Sequence, residues 1–94
     1  HFAQAIEINP DDVIPYINLG RIKIRTGQMD EADQVLRKAI EVQPDFSEAY
    51  YYLGRLKTNQ GQVQAAIDYY QKVLEYEPDH SQALKELGSL LGPD

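Results

Sequence analysis

The sequence contains no cysteine and no tryptophan, and acidic residues outnumber basic ones. Without cysteine the chain forms no disulfide and offers neither a thiolate metal ligand nor a cysteine nucleophile, so the redox compartment stays undetermined. The 15 acidic and 9 basic residues give a net charge of −6. This charge argues against nucleic acid as a partner, because phosphate binding needs a basic surface. It also disfavours anionic membranes.

Long apolar runs are missing as well. No stretch approaches the roughly 20 apolar residues that span a bilayer, so we expect no membrane insertion. The chain opens at His1 without a basic segment followed by an apolar one. We therefore expect no signal peptide, and we predict that the sequence is a piece of a longer protein. A cytoplasmic location is the expectation, although no residue pattern specifies the compartment.

What the chain does contain is a repeat of 34 residues. Aligning residues 13–46 with residues 47–80 gives twelve identical pairs. The pairs are Tyr16/Tyr50, Leu19/Leu53, Gly20/Gly54, Arg21/Arg55, Lys23/Lys57, Gly27/Gly61, Gln28/Gln62, Ala32/Ala66, Lys38/Lys72, Glu41/Glu75, Pro44/Pro78 and Asp45/Asp79. Repeat periods of about 20 to 50 residues indicate solenoids or arrays, in which each unit covers the apolar face of its neighbour.

Apolar residues in several segments recur at i, i+3 and i+4, which predicts amphipathic α-helices and an all-α fold. We predict helices over about 13–26, 28–42, 47–60, 63–76 and 81–91, with the end of another helix in residues 1–9. Three Pro-Asp pairs, beginning at Pro10, Pro44 and Pro78, separate the units, because proline cannot continue a helix. Gly27 and Gly61 supply the turns inside each unit.

Each predicted unit has a glycine in the middle of its first helix, Gly20 and Gly54. A glycine there costs roughly 1 kcal/mol in helix propensity relative to alanine. We infer that the two helices of a unit approach each other closely at these glycines. The small Ala32 and Ala66 on the second helices fit that interpretation, and Tyr50 is predicted to be buried in the same core.

The repeated residues resemble the tetratricopeptide repeat, whose pattern over 34 residues is W-x₂-L-G-x₂-Y…A-x₃-F…P. The matching positions are Tyr16, Leu19, Gly20, Ala32, Leu36 and Pro44, then Tyr50, Leu53, Gly54, Ala66, Tyr70 and Pro78. The resemblance implies a right-handed α-α superhelix of helical hairpins, in one array over residues 1–94. Residues 1–10 would end a preceding repeat, and residues 81–91 would form the first or capping helix of a following one. Lys23 and Lys57 replace the pattern's tyrosine, and their methylene stems can still cover apolar surface.

The resemblance also implies a concave groove, formed by the inner face of the first helices, that binds an extended peptide or a partner helix. The helical period of 3.6 residues predicts which side chains face it. The candidate groove residues are Asn18, Arg21, Arg25, Tyr51, Tyr52, Arg55 and Asn59, with Tyr51 at the edge. Arginine and aromatic side chains dominate binding hot spots. A solvated polar face is the alternative explanation for the arginines and asparagines.

Charge separates the first helices from the rest of the chain. They carry six basic and two acidic residues, or +4, and the remaining three basic and thirteen acidic residues give −10. This asymmetry predicts a protein or peptide partner that carries carboxylates. One sub-family binds the C-terminal carboxylates of chaperones through fixed lysine, asparagine and arginine side chains. Only Asn18 matches that set, so we do not expect this clamp.

No residue set indicates catalysis. The sequence has no glycine-rich phosphate loop, no Ser/His/Asp order and no histidine-glutamate pair at zinc-protease spacing. His1 and His80 are far apart, without a second ligand at metal spacing, and we interpret both as plain surface residues. We therefore predict that the chain is not an enzyme, that it holds no metal and that it needs no cofactor.

Three functions stay open at this point. The first is a protein-interaction scaffold that binds a peptide or helix. The second is the substrate-recruiting arm of a larger enzyme such as a glycosyltransferase; some of these arms use a ladder of asparagines, which here is broken after Asn18. The third is self-assembly into a homo-oligomer through the terminal helices. Their apolar residues are Phe2 and Ile6 at one end, and Leu84, Leu87 and Leu91 at the other.

Overall fold

In the computed structural model, residues 12–92 are described. That range contains five α-helices and no strand, which confirms the all-α prediction. The helices are α1 (Ile14–Arg25), α2 (Met29–Val42), α3 (Ser47–Asn59), α4 (Val63–Tyr76) and α5 (Ser81–Leu91). These bounds agree with the predicted ones to within one residue. The helix end predicted in residues 1–9 lies outside the described range.

Glycine turns join the two helices of each hairpin. Gly27 and Gly61 have φ angles of 81° and 77°, a left-handed conformation that glycine adopts at little cost. The next backbone N–H groups, of Gln28 and Gln62, donate to carbonyls five residues back at 2.8 Å. These bonds satisfy carbonyl groups that the end of a helix otherwise leaves unpaired. The same local motif therefore sets the angle of both hairpins.

Inside each hairpin the two helices meet at a glycine. A Cβ added to Gly20 would lie 2.6 Å from the Cδ2 atom of Leu36, and one added to Gly54 would lie 2.7 Å from the Cε1 atom of Tyr70. Leu36 and Tyr70 are both fully buried. The prediction of close approach at these glycines is confirmed, and the approach explains why each unit tolerates the propensity cost of glycine.

The hairpins stack through a continuous apolar core, with α2 against α3, α4 against α5, and α1 beside α3. Leu53 and Leu56 of α3 pack with Leu36 and Ala39 of α2. Tyr50 is buried as predicted, and its hydroxyl donates to the Pro44 carbonyl at 2.7 Å. The stack is elongated, with extents of 47 × 27 × 17 Å.

Two lysines pair with acids of α2. The Lys23 ammonium lies 2.8 Å from the Glu31 carboxylate within the first hairpin. The Lys57 ammonium lies 3.9 Å from the Asp33 carboxylate, and this contact links the second hairpin to the first. The Lys57 side chain is only 15% exposed, so its methylene stem covers apolar surface as expected.

His80 is half-buried at the start of α5, so the interpretation of it as a plain surface residue is wrong. Its Nδ1 atom accepts from the Ala83 backbone N–H at 3.1 Å, which caps the helix. Its Nε2 atom lies 3.4 Å from a Glu48 carboxylate oxygen, and its ring centroid lies 5.2 Å from that of Tyr51. The histidine therefore joins α5 to α3. His1 lies outside the described residues.

Candidate functional site

A shallow depression of ≈ 120 Å³ lies between α1 and α3. Its lining residues are Arg21, Ile24, Arg25, Tyr52 and Arg55, and we refer to it as the arginine pocket. Arg21 and Arg25 are four residues apart and so share one face of α1. Arg55 occupies on α3 the place that Arg21 has on α1, because the repeat spaces them by 34 residues. The repeat thus brings three guanidinium groups to one surface.

The three arginines of the pocket are exposed and form no ion pair with an acid in residues 12–92. Five of the other six basic side chains are paired. These are Lys23, Arg37, Lys38, Lys57 and Lys72. Lys85, on α5, is the sixth and does not line the pocket. The positive charge that is free to meet a ligand is therefore concentrated on one surface.

The pairing of Lys23 and Lys57 revises the charge estimate made from the sequence. The count for the first helices includes both lysines, but both contact acids of α2. A lysine partly neutralised by a neighbouring carboxylate adds little to the field outside the molecule. The basic character of the surface between α1 and α3 therefore comes from the arginines.

Tyr52 and Ile24 give the pocket an apolar side. Tyr52 is half-buried, and its ring meets the ring of Tyr51 edge to face, with centroids 5.2 Å apart at 73°. Ile24 is 9% exposed and packs in the core of the first hairpin. The sequence analysis did not predict Ile24 as a site residue. Its position three residues after Arg21 places it on the same side of α1, and this spacing is the sequence feature that could have indicated it. Held by the core, both side chains form a fixed wall.

Tyr51 does not lie at the edge of the groove, and that prediction is wrong. Its side chain is 3% exposed, because α5 covers it and brings the His80 ring against it. Its ring centroid also lies 5.8 Å from that of Tyr70. Burial raises the pKa of the Tyr51 hydroxyl, and the charge and hydrogen bond of Arg55 oppose that rise. Tyr51 thus stands behind the surface that carries Arg55.

The two asparagines of the predicted groove do not join the arginine pocket. Asn18 is half-buried on α1, and Asn59 is exposed at the last position of α3. Neither side chain lines the pocket. The structure therefore brings four of the seven predicted groove residues together: Arg21, Arg25, Tyr52 and Arg55.

A larger depression of ≈ 500 Å³ lies on α1 and α2. It is lined by Tyr16, Leu19, Gln34, Val35, Arg37, Lys38 and Glu41. One repeat later, Tyr50 and Leu53 occupy the places of Tyr16 and Leu19, and there they pack against residues of α2. This surface therefore has the character of a stacking face between repeats, and we do not assign it as the site.

Two further findings concern residues 12–92 alone. No group of three or more histidine, aspartate or glutamate side chains there is arranged to hold a metal ion. None of the helices in that range is both long and apolar enough to cross a membrane.

Comparisons with known proteins agree on the family. The sequence model of the tetratricopeptide repeat matches residues 17–75 and 55–91. The crystal structure of YrrB, a TPR protein with an unusual peptide-binding site, is similar with a TM-score of 0.89 and 29% identity, over 96% of this chain and 46% of that one. The chain thus spans less than half of YrrB.

A second similar structure is the first TPR of Spaghetti (RPAP3) bound to the HSP90 peptide SRMEEVD. It has a TM-score of 0.87 and 20% identity, over 96% of this chain and 71% of that one, and at this identity it shows the fold alone. A comparison with curated protein sequences gives no match. Since the family model covers most of the chain, the protein belongs to the tetratricopeptide repeat family.

Proposed function

We propose that the protein is a non-enzymatic interaction module that binds an extended peptide of a partner protein across α1 and α3. The observation that carries this proposal is the arginine pocket. Three arginines without an acidic partner among the described residues meet there beside a fixed tyrosine ring. Arginine and tyrosine are enriched in the residues that dominate binding energies.

The charges favour a partner segment that carries acidic groups. Arginine presents a planar fork of N–H donors that matches carboxylate and phosphate groups, and it is less strongly hydrated than lysine. Acidic groups on the partner would therefore gain charge-assisted hydrogen bonds at the pocket. YrrB has an unusual peptide-binding site and the first TPR of Spaghetti binds an HSP90 peptide, which supports the same class of partner.

A peptide array probed with the purified protein tests this function, followed by fluorescence anisotropy on the peptides that bind. We expect the double variant Arg21→Ala, Arg55→Ala to lose affinity by about 10-fold or more, since each charge-assisted hydrogen bond contributes about 1.5 kcal/mol or more. Binding to the wild type should weaken with added salt, and binding to the double variant should do so less steeply.

Lys85→Ala is the matched control, because it removes an exposed cation outside the pocket that forms no ion pair among the described residues. Equal affinity of the double variant and the control for every bound peptide would overturn the proposal.

A second candidate function is self-association through α5. Leu84 and Leu91 are 50% and 62% exposed on this helix. Gly88 has the place of Gly54 in the repeat, but a Cβ added to it would meet no atom within 4 Å. Within residues 12–92 nothing packs against α5 at Gly88, and we propose that α5 of a second copy places a leucine there. Sedimentation over a concentration series tests this: a dimer that Leu84→Gln dissociates supports it, and a monomer throughout overturns it.

A further inference from the structure

The arginine pocket carries more charge than one carboxylate can neutralise. Its three guanidinium groups bear a formal charge of +3, and no aspartate or glutamate lines it. A single aspartate or glutamate of a peptide brings one negative charge, whereas a phosphorylated side chain brings about −1.5 to −2 and three strong acceptor oxygens. The balance of charge therefore favours a phosphoryl group.

The shape of the pocket agrees with that ligand. At ≈ 120 Å³ it has room for one compact anionic group. Arg21 and Arg25 line it from α1 and Arg55 from α3, so two helices supply its donors. Ile24 and the Tyr52 ring supply the apolar wall that the carbon stem of a phosphorylated residue can contact.

The pocket between α1 and α3 can be compared with the equivalent place one repeat later, between α3 and α5. Residues 34 positions further along the chain occupy that place. There Asn59 stands in the place of Arg25, Glu86 in that of Tyr52 and Ser89 in that of Arg55. Two of the three guanidinium groups are lost and a carboxylate is added. Glu86 forms no ion pair with another described residue and would repel an anion. The cluster of three arginines that suits a dianion therefore occurs between α1 and α3 and is lacking between α3 and α5.

We propose that the arginine pocket binds the phosphoryl group of a phosphorylated side chain in the partner peptide. This assignment rests on the proposed function and narrows its partner from an acidic peptide to a phosphopeptide. Phosphorylation of the partner would then switch the interaction on, because the unmodified hydroxyl offers the three arginines no charge to neutralise.

The first test uses inorganic phosphate as the probe and follows the arginine Nε–H signals of the wild type by NMR at constant ionic strength. We expect saturable shifts of Arg21, Arg25 and Arg55, with an apparent affinity for phosphate at least about 10-fold above that for acetate. Arg25→Ala should lower the phosphate affinity by about 10-fold, and Lys85→Ala should leave it unchanged. Shifts that fail to saturate, or that acetate reproduces at the same concentration, would overturn the phosphoryl assignment.

The second test separates this assignment from the proposed function. An array of matched peptides, each with and without a phosphate on one serine, threonine or tyrosine, is probed with the wild type and with Arg25→Ala. A phosphate-dependent gain of about 10-fold that Arg25→Ala removes supports the assignment. Peptides that need Arg21 and Arg55 but bind equally well in both forms would overturn the phosphoryl assignment and leave the proposed function standing. Binding of no peptide in either form would overturn both.

Discussion

Replacing Gly54 with alanine tests the packing that holds each hairpin together. The new methyl group would lie 2.7, 2.9 and 2.9 Å from three atoms of the Tyr70 ring, well inside ordinary contact. The ring has little room to retreat, because Tyr70 is fully buried and its ring packs at a tilt against the ring of Tyr51. Overpacking of this kind costs about 1 to 3 kcal/mol.

Two effects of opposite sign decide the outcome for Gly54→Ala. Alanine gains roughly 1 kcal/mol in helix propensity over glycine, which offsets part of the overpacking cost. We expect the steric term to win, because three buried ring atoms must move together. The free energy of unfolding should fall by about 1 kcal/mol, which for a domain of this size lowers the melting temperature by roughly 4 to 8 °C.

Gly88→Ala is the matched control, because it makes the same change at the equivalent place of α5 where no atom lies within 4 Å. At this position alanine gains helix propensity over glycine without a steric clash. The control should therefore be more stable than the wild type by about 0.5 to 1 kcal/mol. Urea and thermal unfolding followed by circular dichroism measures both variants. The packing argument fails if Gly54→Ala is stabilised as much as Gly88→Ala.

Three further predictions concern Tyr70 and His80. The Tyr70 hydroxyl is buried without a well-formed hydrogen bond to a described residue, and the nearby Thr58 hydroxyl already donates to the Gly54 carbonyl. Tyr70→Phe should therefore raise the free energy of unfolding by about 1 kcal/mol in urea titrations; a loss of stability would show that the hydroxyl is satisfied. Burial raises the pKa of Tyr70 to about 12, only partly opposed by Thr58 and Arg55. Because this folded-state pKa exceeds the unfolded value of about 10, the unfolded chain ionises first. Ionisation of Tyr70 therefore leaves the free energy of unfolding unchanged below pH 10 and lowers it as the pH rises to 12. The wild type should lose more stability than Tyr70→Phe over that range, and parallel losses would contradict the shift. His80→Ala should cost about 1 kcal/mol and speed hydrogen exchange of the first amides of α5, whereas His80→Asn should keep the cap; equal exchange in the two variants would refute the capping role.

The fold could be predicted from the sequence because its determinants are local and occur twice. Gly27 and Gly61 form the same turn, and Gly20 and Gly54 permit the same close approach, so the repeat confirms each assignment independently. Helix ends follow from proline and glycine, whose backbone restrictions act without help from distant residues. The predicted repeat boundaries stay a prediction.

The site was less predictable, because the exposure and contacts of its side chains depend on residues of the neighbouring repeats. Tyr51 is on the same turn as Tyr52, yet α5 buries one of them and leaves the other at the surface. No pattern within α3 distinguishes the two. His80 meets Tyr51 and Glu48 only because α3 lies beside the start of α5. Such roles arise from tertiary contacts that the helical period does not encode.

The orientation of the lysine and arginine side chains was hard to predict for a related reason. Lys57 lies on a groove-bearing helix but turns to Asp33 of the preceding hairpin, which removes it from the inner face. Arg21, Arg25 and Arg55 form no ion pair with a described residue, and their side chains are exposed. Three arginines therefore account for the positive charge of this surface, whereas the prediction counts lysines as well.

The most direct test of the central claim is a map of where a bound peptide touches the protein. We expect the amide and side-chain chemical shifts of Arg21, Arg25, Tyr52 and Arg55 to change when a peptide from the array is added. The chemical shifts of exposed residues on α2 and α4 should stay unchanged. This result would place the ligand across α1 and α3, as proposed. Shifts confined to the outer surfaces of α2 and α4, with the arginine pocket unaffected, would contradict the account.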